Sequence, residues 1–473
     1  MKTLHRIEKK IIRFSLIILC VLLVCACCHR KYLTKSTVTQ WCEYPCTEIP
    51  RDSSILLWRK PGVTAKEFEH WKREHHLTGG RPACSFCNDN DLEIYDGVPI
   101  EMFGGTGGTD CTGTTICKPH GGGDDVVEYC YNIPIHLDTI EGGKYDYQLD
   151  SSQIPSENDI SGPIVNVAVF DTGVDPAITS KYTIPLADVC YRPAARGWNF
   201  ANGNDQTQDD FQGRHGTKVA KFIVDQVHAY KHQRVNIIPV KIFDRDGNTS
   251  LFKILCAFSY AQQSGIKIIN ASFGFYWHDL FNPPALFSDY IQTHLTDNGI
   301  LLIASAGNRD ISEDNAVTST GLVSTADLRD LAKHPVYPAV LSGHLGNVIT
   351  VTTVFSPQDA ISLQQNHSKR FVMIGVNGDG QCTVTGVPAP TEEFCFRDPL
   401  DPTAVPVHGS SFATPIVTGR IASFYDLLTA GMGTTIDQGI LLSRMQAQGL
   451  VKQSTAPVLP ANIKNGVYAP KAP

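Results

Sequence analysis

The chain has 473 residues, 42% of them hydrophobic and 18% charged, with a formal charge of −7. This composition is that of a globular protein with room for two or three domains, and it excludes a fibrous or wholly disordered chain. No basic stripe interleaved with aromatics occurs, which excludes the usual footprint of a nucleic-acid partner.

At the N-terminus, Lys2, Arg6, Lys9, Lys10 and Arg13 precede the apolar run Ser15-Leu-Ile-Ile-Leu-Cys-Val-Leu-Leu-Val-Cys-Ala26. Basic residues before a short apolar stretch are the pattern of an export signal, read here over residues 1–28. The run is about a dozen residues, short of the roughly 20 that a membrane-crossing helix needs. Val24-Cys-Ala-Cys27 resembles a bacterial lipobox, with Cys25 where a small residue is usual. That resemblance implies a lipid on Cys27 and an extracytoplasmic protein attached to a membrane; ordinary secretion and a retained short anchor are the alternatives.

Export also favours disulfides. With Cys20, Cys25 and Cys27 set aside, 12 of the 15 cysteines remain, an even number that suits pairing. Cys42, Cys46, Cys84, Cys87, Cys111, Cys117 and Cys130 fall before residue 150, where a small domain most needs staples. Cys382 and Cys395 are placed to close a loop. A zinc site from Cys42, Cys46, Cys84 and Cys87 is the lesser reading, because the spacing between the two pairs fits no standard finger.

Residues 29–150 read as a Cys- and Gly-rich region that is small and irregular. It opens with a polar linker, followed by the strand Ser54-Ile-Leu-Leu-Trp58, bounded by Pro61-Gly62. A helix follows, with Thr64 and Glu67 as a capping box, Val63 positioned to staple onto Phe68, and Gly79-Gly80 as the stop. Leu92–Tyr95 reads as a further short strand, and the Gly-rich runs around 104–110 and 121–125 lack the Gly-Lys-Ser/Thr ending of a phosphate loop.

From about residue 160 to 455 the texture changes. The apolar strands Ile164–Phe170, Val235–Phe243, Ile266–Asn270, Ile300–Ala304 and Val348–Val354 alternate with helical stretches, notably His215 to about Tyr230 and Leu251 to Ser264. Such a pattern predicts an α/β fold with a mostly parallel central sheet and helices on both faces. Chemistry in these folds gathers at the carboxyl ends of the strands. Residues 456–473 read as a C-terminal tail.

Four segments stand where a strand ends or a helix begins: Val-Ala-Val-Phe-Asp171-Thr-Gly, Gly213-Arg-His215-Gly-Thr-Lys, Ile303-Ala-Ser-Ala-Gly-Asn308, and His408-Gly-Ser-Ser411-Phe-Ala-Thr-Pro415. Singly, each has a bland reading as a turn, a surface histidine or a helix start. Together, and in this order, they resemble the subtilisin-like serine proteases. The resemblance implies a three-layer subtilisin-like fold and a serine endopeptidase acting on protein or peptide substrates. It also implies an Asp171, His215, Ser411 triad in the family's chain order, with Asn308 in the oxyanion hole and Ser272, Phe273 and Gly274 at the substrate-lining strand end. Ser410 is the rival nucleophile, but the register fixed by Gly409 and Pro415 selects Ser411; Asp175 is the rival to Asp171.

The departures from the family pattern are Lys218 for a usual His, and Ser410, Phe412 and Thr414 where Thr, Met and Ser are common. The segment 309–335 is longer than usual. No cofactor is required for the implied chemistry. Many members of the family bind structural calcium, and the oxygen-rich stretch 202–210 is compatible with it, though a solvated loop explains that stretch equally well. Asp244–Asn248 resembles a calcium loop only superficially and reads as a tight turn. The competing functional reading is a catalytically silent relative that binds a partner.

Overall fold

The computed structural model describes residues 54–84, 89–98, 108–109, 116–117, 121–137, 149–186 except 157 and 159, 196–276, 285–309, 325–355, 360–361, 364–384, 391–455 and 461–472. Cys27, Cys42, Cys46 and Cys87 therefore lie outside the described residues, as does most of the segment that follows Arg309.

The described part of the N-terminal region forms regular structure. Five strands form one sheet in the order Arg81–Cys84, Asp89–Tyr95, Ile55–Arg59, Val127–Tyr131, Gly121–Gly123, all antiparallel neighbours. Side chains alternate across a strand. Ile55 and Leu57 accordingly meet Phe68 and Trp71 of the helix Ala65–Glu74, while Leu56 and Trp58 face the opposite way, into the core of the larger unit. The capping box is present: Glu67 N–H donates to Thr64 Oγ1 at 3.3 Å, and Thr64 N–H donates to Glu67 Oε2 at 2.8 Å. The helix ends at Glu74, ahead of the expected glycine stop, because His75 caps it and His76 turns into the left-handed region with φ 54°.

The larger unit is built on the expected α/β plan. Its ten-stranded sheet runs Trp198–Asn199, Arg234–Lys241, Ile164–Asp171, Ile268–Ala271, Leu301–Ser305, Val348–Phe355, Val372–Asn377, Val467–Ala469, Lys452–Gln453, with Ala360–Ile361 on the side of Val348–Phe355. From the first of these strands to Val467–Ala469 every neighbouring pair is parallel. One face is covered by the helices His215–Tyr230 and Ser410–Ser423, the other by Leu251–Gln263 and Ala285–His294. The helix Ser410–Ser423 ends at Phe424, and a short helix Tyr425–Thr429 follows it. Within the C-terminal tail, Val467–Ala469 adds a strand to the sheet, buried at Val467 and Ala469 because it lies between two others.

The two units share a core. Trp58 meets Tyr290 edge to face at 5.4 Å between ring centroids. Pro134–His136 pairs with Asn248–Ser250, just past the Asp244 turn, which closes through a Gly247 N–H to Asp244 O bond of 3.1 Å. A disulfide joins Cys84 of the N-terminal sheet to Cys256 on Leu251–Gln263, and a second joins Cys382 to Cys395, as their placement suggested. Cys84 is thus no local staple of a separate small domain, and Cys130 is free and buried, where burial pushes its thiol up.

Candidate active site

Asp171 closes the strand Ile164–Asp171 and is 1% exposed. Its Oδ1 accepts from Thr172 N–H at 2.7 Å and lies 2.8 Å from His215 Nδ1. A carboxylate can only accept, so Nδ1 carries the proton and Nε2 keeps its lone pair. His215 opens its helix from Arg214, which sits at φ 51° in the left-handed region and is held there by an ion pair with Asp175. Asp175, the sequence-level rival to Asp171, is committed to that pair and to capping the helix Pro176–Tyr182.

Close approach of the histidine helix to the aspartate strand depends on Gly216, since a Cβ there would collide with the carbonyl oxygen of Gly173. Behind the pair lies Asp209, in the oxygen-rich stretch 202–210. Its Oδ1 accepts from Thr172 Oγ1 at 3.0 Å, and its Oδ2 accepts from Thr217 N–H at 2.9 Å and Thr217 Oγ1 at 2.7 Å. Gly216 N–H donates to Thr172 Oγ1 at 2.9 Å, so one buried carboxylate knits the strand end to the helix start. Burial, helped by the charge of Asp171, pushes the Asp209 carboxyl above the usual range. Lys241, opposite Asp171 in the neighbouring strand, reaches Thr172 O and lies 2.7 Å from Asp210. The carboxylates of Asp209 and Asp210 thus both serve donors of the protein itself.

Ser411 is the second residue of its helix, in the first turn, whose N–H groups have no intrahelical acceptor. Ser272 Oγ donates to Ser411 O at 2.7 Å and accepts from Asn270 Nδ2 at 2.8 Å, which fixes the helix start on the central strand. Phe412 brings its ring centroid within 5.2 Å of that of His215. Among the described residues no hydrogen bond joins the Ser411 hydroxyl to His215; bonds of this kind often tighten only when substrate is seated. Asn308 follows the strand Leu301–Ser305, and its Oδ1 accepts from Ser410 N–H at 2.9 Å, with Ser410 Oγ at 3.2 Å. Because a backbone N–H can only donate, the amide orientation is fixed and Nδ2 is the atom left to donate elsewhere. Ser410, the rival nucleophile, is fully buried and engaged with Asn308.

The expected substrate-lining residues divide. Ser272 is fully buried and turned toward Ser411, Phe273 packs against Phe243 at 5.7 Å, and Gly274 alone is partly exposed. The side chains of Ser272 and Phe273 therefore belong to the interior, which leaves backbone as the exposed edge. Lys218, noted as a departure, is 3% exposed and pairs at 3.0 Å with Asp398, itself buried.

A cell wall-associated protease of Bacillus subtilis (strain 168) is 32% identical over 156 residues, 31% of this chain and 16% of that protein. A thermophilic serine proteinase of Bacillus sp. (strain AK1) is 30% identical over 151 residues, 31% of this chain and 33% of that protein. The matches thus span a third or less of either relative. Among solved structures, the epidermin leader peptide processing serine protease of Staphylococcus aureus superposes with a TM-score of 0.48 at 15% identity, over 88% of this chain and 96% of that one. A cold adapted subtilisin-like serine proteinase gives 0.42 at 17% identity, over 70% and 96%. Residues 162–456 match the profile of the subtilase family, a stretch that encloses the elements around Asp171, His215, Asn308 and Ser411, and the chain belongs to that family.

Proposed function

We propose that this chain is an exported serine endopeptidase using Asp171, His215 and Ser411. The observation that carries the reading is the 2.8 Å contact between His215 Nδ1 and the buried Asp171 carboxylate, which leaves Nε2 as a base. A serine hydroxyl is a poor nucleophile until a base accepts its proton. His215 Nε2 takes the Ser411 proton as Oγ attacks the carbonyl carbon, and Asp171 stabilises the resulting imidazolium. His215 then gives that proton to the leaving amine, and water hydrolyses the acyl-enzyme. Asn308 Nδ2 and the Ser411 backbone N–H donate to the developing oxyanion; loss of one such donor costs roughly 10²–10³ in kcat, a magnitude measured in this same family. The 272–274 strand end meets substrate through its backbone.

The basic and apolar N-terminus supports export, and the lipobox-like Val24–Cys27 supports a lipid on Cys27; the similarity to a cell wall-associated protease agrees with a place outside the cytoplasm. The N-terminal region, seated on Leu251–Gln263 and Ala285–His294, acts as a propeptide-like folding aid or inhibitor.

A fluorophosphonate probe read by intact mass tests the reading. Folded full-length protein should be labelled, Ser411→Ala should not be, and absence of labelling in the native chain would favour a catalytically silent relative. The same spectrum reads the N-terminus, where a bare Cys27 thiol defeats the lipid assignment.

A further inference from the structure

Asn308 is gripped by two residues that the mechanism has not used. The Tyr276 hydroxyl lies 3.3 Å from Asn308 O and 3.2 Å from Asn366 Oδ1. Asn366, fully buried, donates through Nδ2 to Ala306 O at 3.0 Å and to Tyr276 Oη at 2.8 Å. Its backbone is fixed too: Asn366 N–H donates to Gly307 O at 3.1 Å, and Thr352 Oγ1 donates to Asn366 O at 2.8 Å. On the same side Arg309 N–H donates to Gln364 O at 2.8 Å, and Asn308 forms a bridge with Gln365.

Ala306 O can only accept, so the Asn366 amide has one orientation, with its second Nδ2 proton directed at Tyr276 Oη. The single hydroxyl proton of Tyr276 then points away from that donor, toward Asn308 O, with Asn366 Oδ1 as the competing acceptor. Asn308 is thereby held at two points, its backbone carbonyl by Tyr276 and its side-chain carbonyl by Ser410 N–H. Two fixed points on one residue set the direction of the remaining atom, Nδ2. Donors aimed in advance at developing charge are what such a site uses, and small misplacement is costly.

We propose that Tyr276, seated on Asn366, is a positioning residue for the Asn308 oxyanion donor; this rests on the functional reading above. Tyr276 does not touch substrate in this role. Its removal should act on kcat, not on KM, and only while the Asn308 amide is present to be misplaced.

The experiment is a double-mutant cycle on the full chain with a peptide substrate. Tyr276→Phe keeps the ring and removes only the hydroxyl. It is expected to lower kcat about tenfold, less than the roughly 10²–10³ of losing the donor itself, with KM within about twofold. In an Asn308→Ala background the same change should alter kcat less than about twofold. Equal losses in both backgrounds, a loss carried by KM, or no loss in the single variant would each overturn the proposal. Thermal unfolding of each variant identifies a folding defect, and Asn366→Asp, which keeps the shape but not the Nδ2 donor, must repeat the kcat loss of Tyr276→Phe if that variant proves unstable. Failure of the functional reading is seen separately, as Ser411→Ala retaining full turnover.

Discussion

Lys218 shows how far a single residue's meaning depends on its partner. In sequence it is only a cation where the family has a histidine. In the structure its ammonium lies 3.0 Å from Asp398, which also accepts from Leu400 N–H at 2.9 Å and so ties the chain ahead of the serine to the histidine helix. Removing one partner of a buried pair leaves an uncompensated charge, which costs about 3–5 kcal/mol. Lys218→Met should therefore lower the urea unfolding free energy by that amount, and Lys218→Met combined with Asp398→Leu should recover most of it. A single variant as stable as the native chain would contradict the assignment. The same distance in sequence hid Asp209, Tyr276 and Asn366: each acts through atoms far along the chain, whereas the proposed triad residues Asp171, His215 and Ser411 announce themselves through local glycine-rich neighbours at the ends of strands or the starts of helices.

At the scale of elements, what was legible was what is local. Continuous apolar runs marked five central strands, and the Thr64 and Glu67 cap needs only four consecutive residues. Val372–Asn377 follows the same rule, since Phe371–Val376 is a continuous apolar run, whereas the three-residue Val467–Ala469 is too short to stand out and owes its burial to its neighbours in the sheet. The strand Val407–His408 that delivers the serine helix carries a further consequence. His408 is 8% exposed, with Nε2 buried and without a hydrogen-bond partner among the described residues, and burial pushes its imidazole down to about 4. An unfolded histidine titrates near 6.5, so between roughly pH 6.5 and 4 the unfolded chain binds the proton that the folded one refuses. Stability is unaffected by this group above that window and falls as pH drops through it, by up to about 3 kcal/mol. His408→Gln should flatten the fall in urea midpoint between pH 7 and 4, and an unchanged slope would show that the group is not responsible. His334, also brought down to about 4, chiefly by burial, leaves a residual slope in that variant.

For the molecule as a whole, the composition change near residue 150 suggested a boundary, yet the packing crosses it. The outward side chains of the N-terminal sheet lie in the same apolar core as Ile254, Leu255, Phe258 and Leu286. Cysteine positions could not foretell this, because spacing does not fix connectivity. The Cys84–Cys256 disulfide spans 172 residues. In the chain-entropy account, closing so long a loop removes enough freedom from the unfolded chain to stabilise the fold by about 5 kcal/mol. Cys84→Ser combined with Cys256→Ser should lower the urea unfolding free energy by up to that amount under oxidising conditions, and an unchanged midpoint would mean that the shared core alone holds the sheet in place. The bond also constrains processing. A backbone cut between Cys84 and Cys256 leaves both pieces joined, so a cleaved sheet remains tethered to the helix Leu251–Gln263. Native chain cut there should run as one species without reductant and as two with it, whereas the serine variant separates in either case.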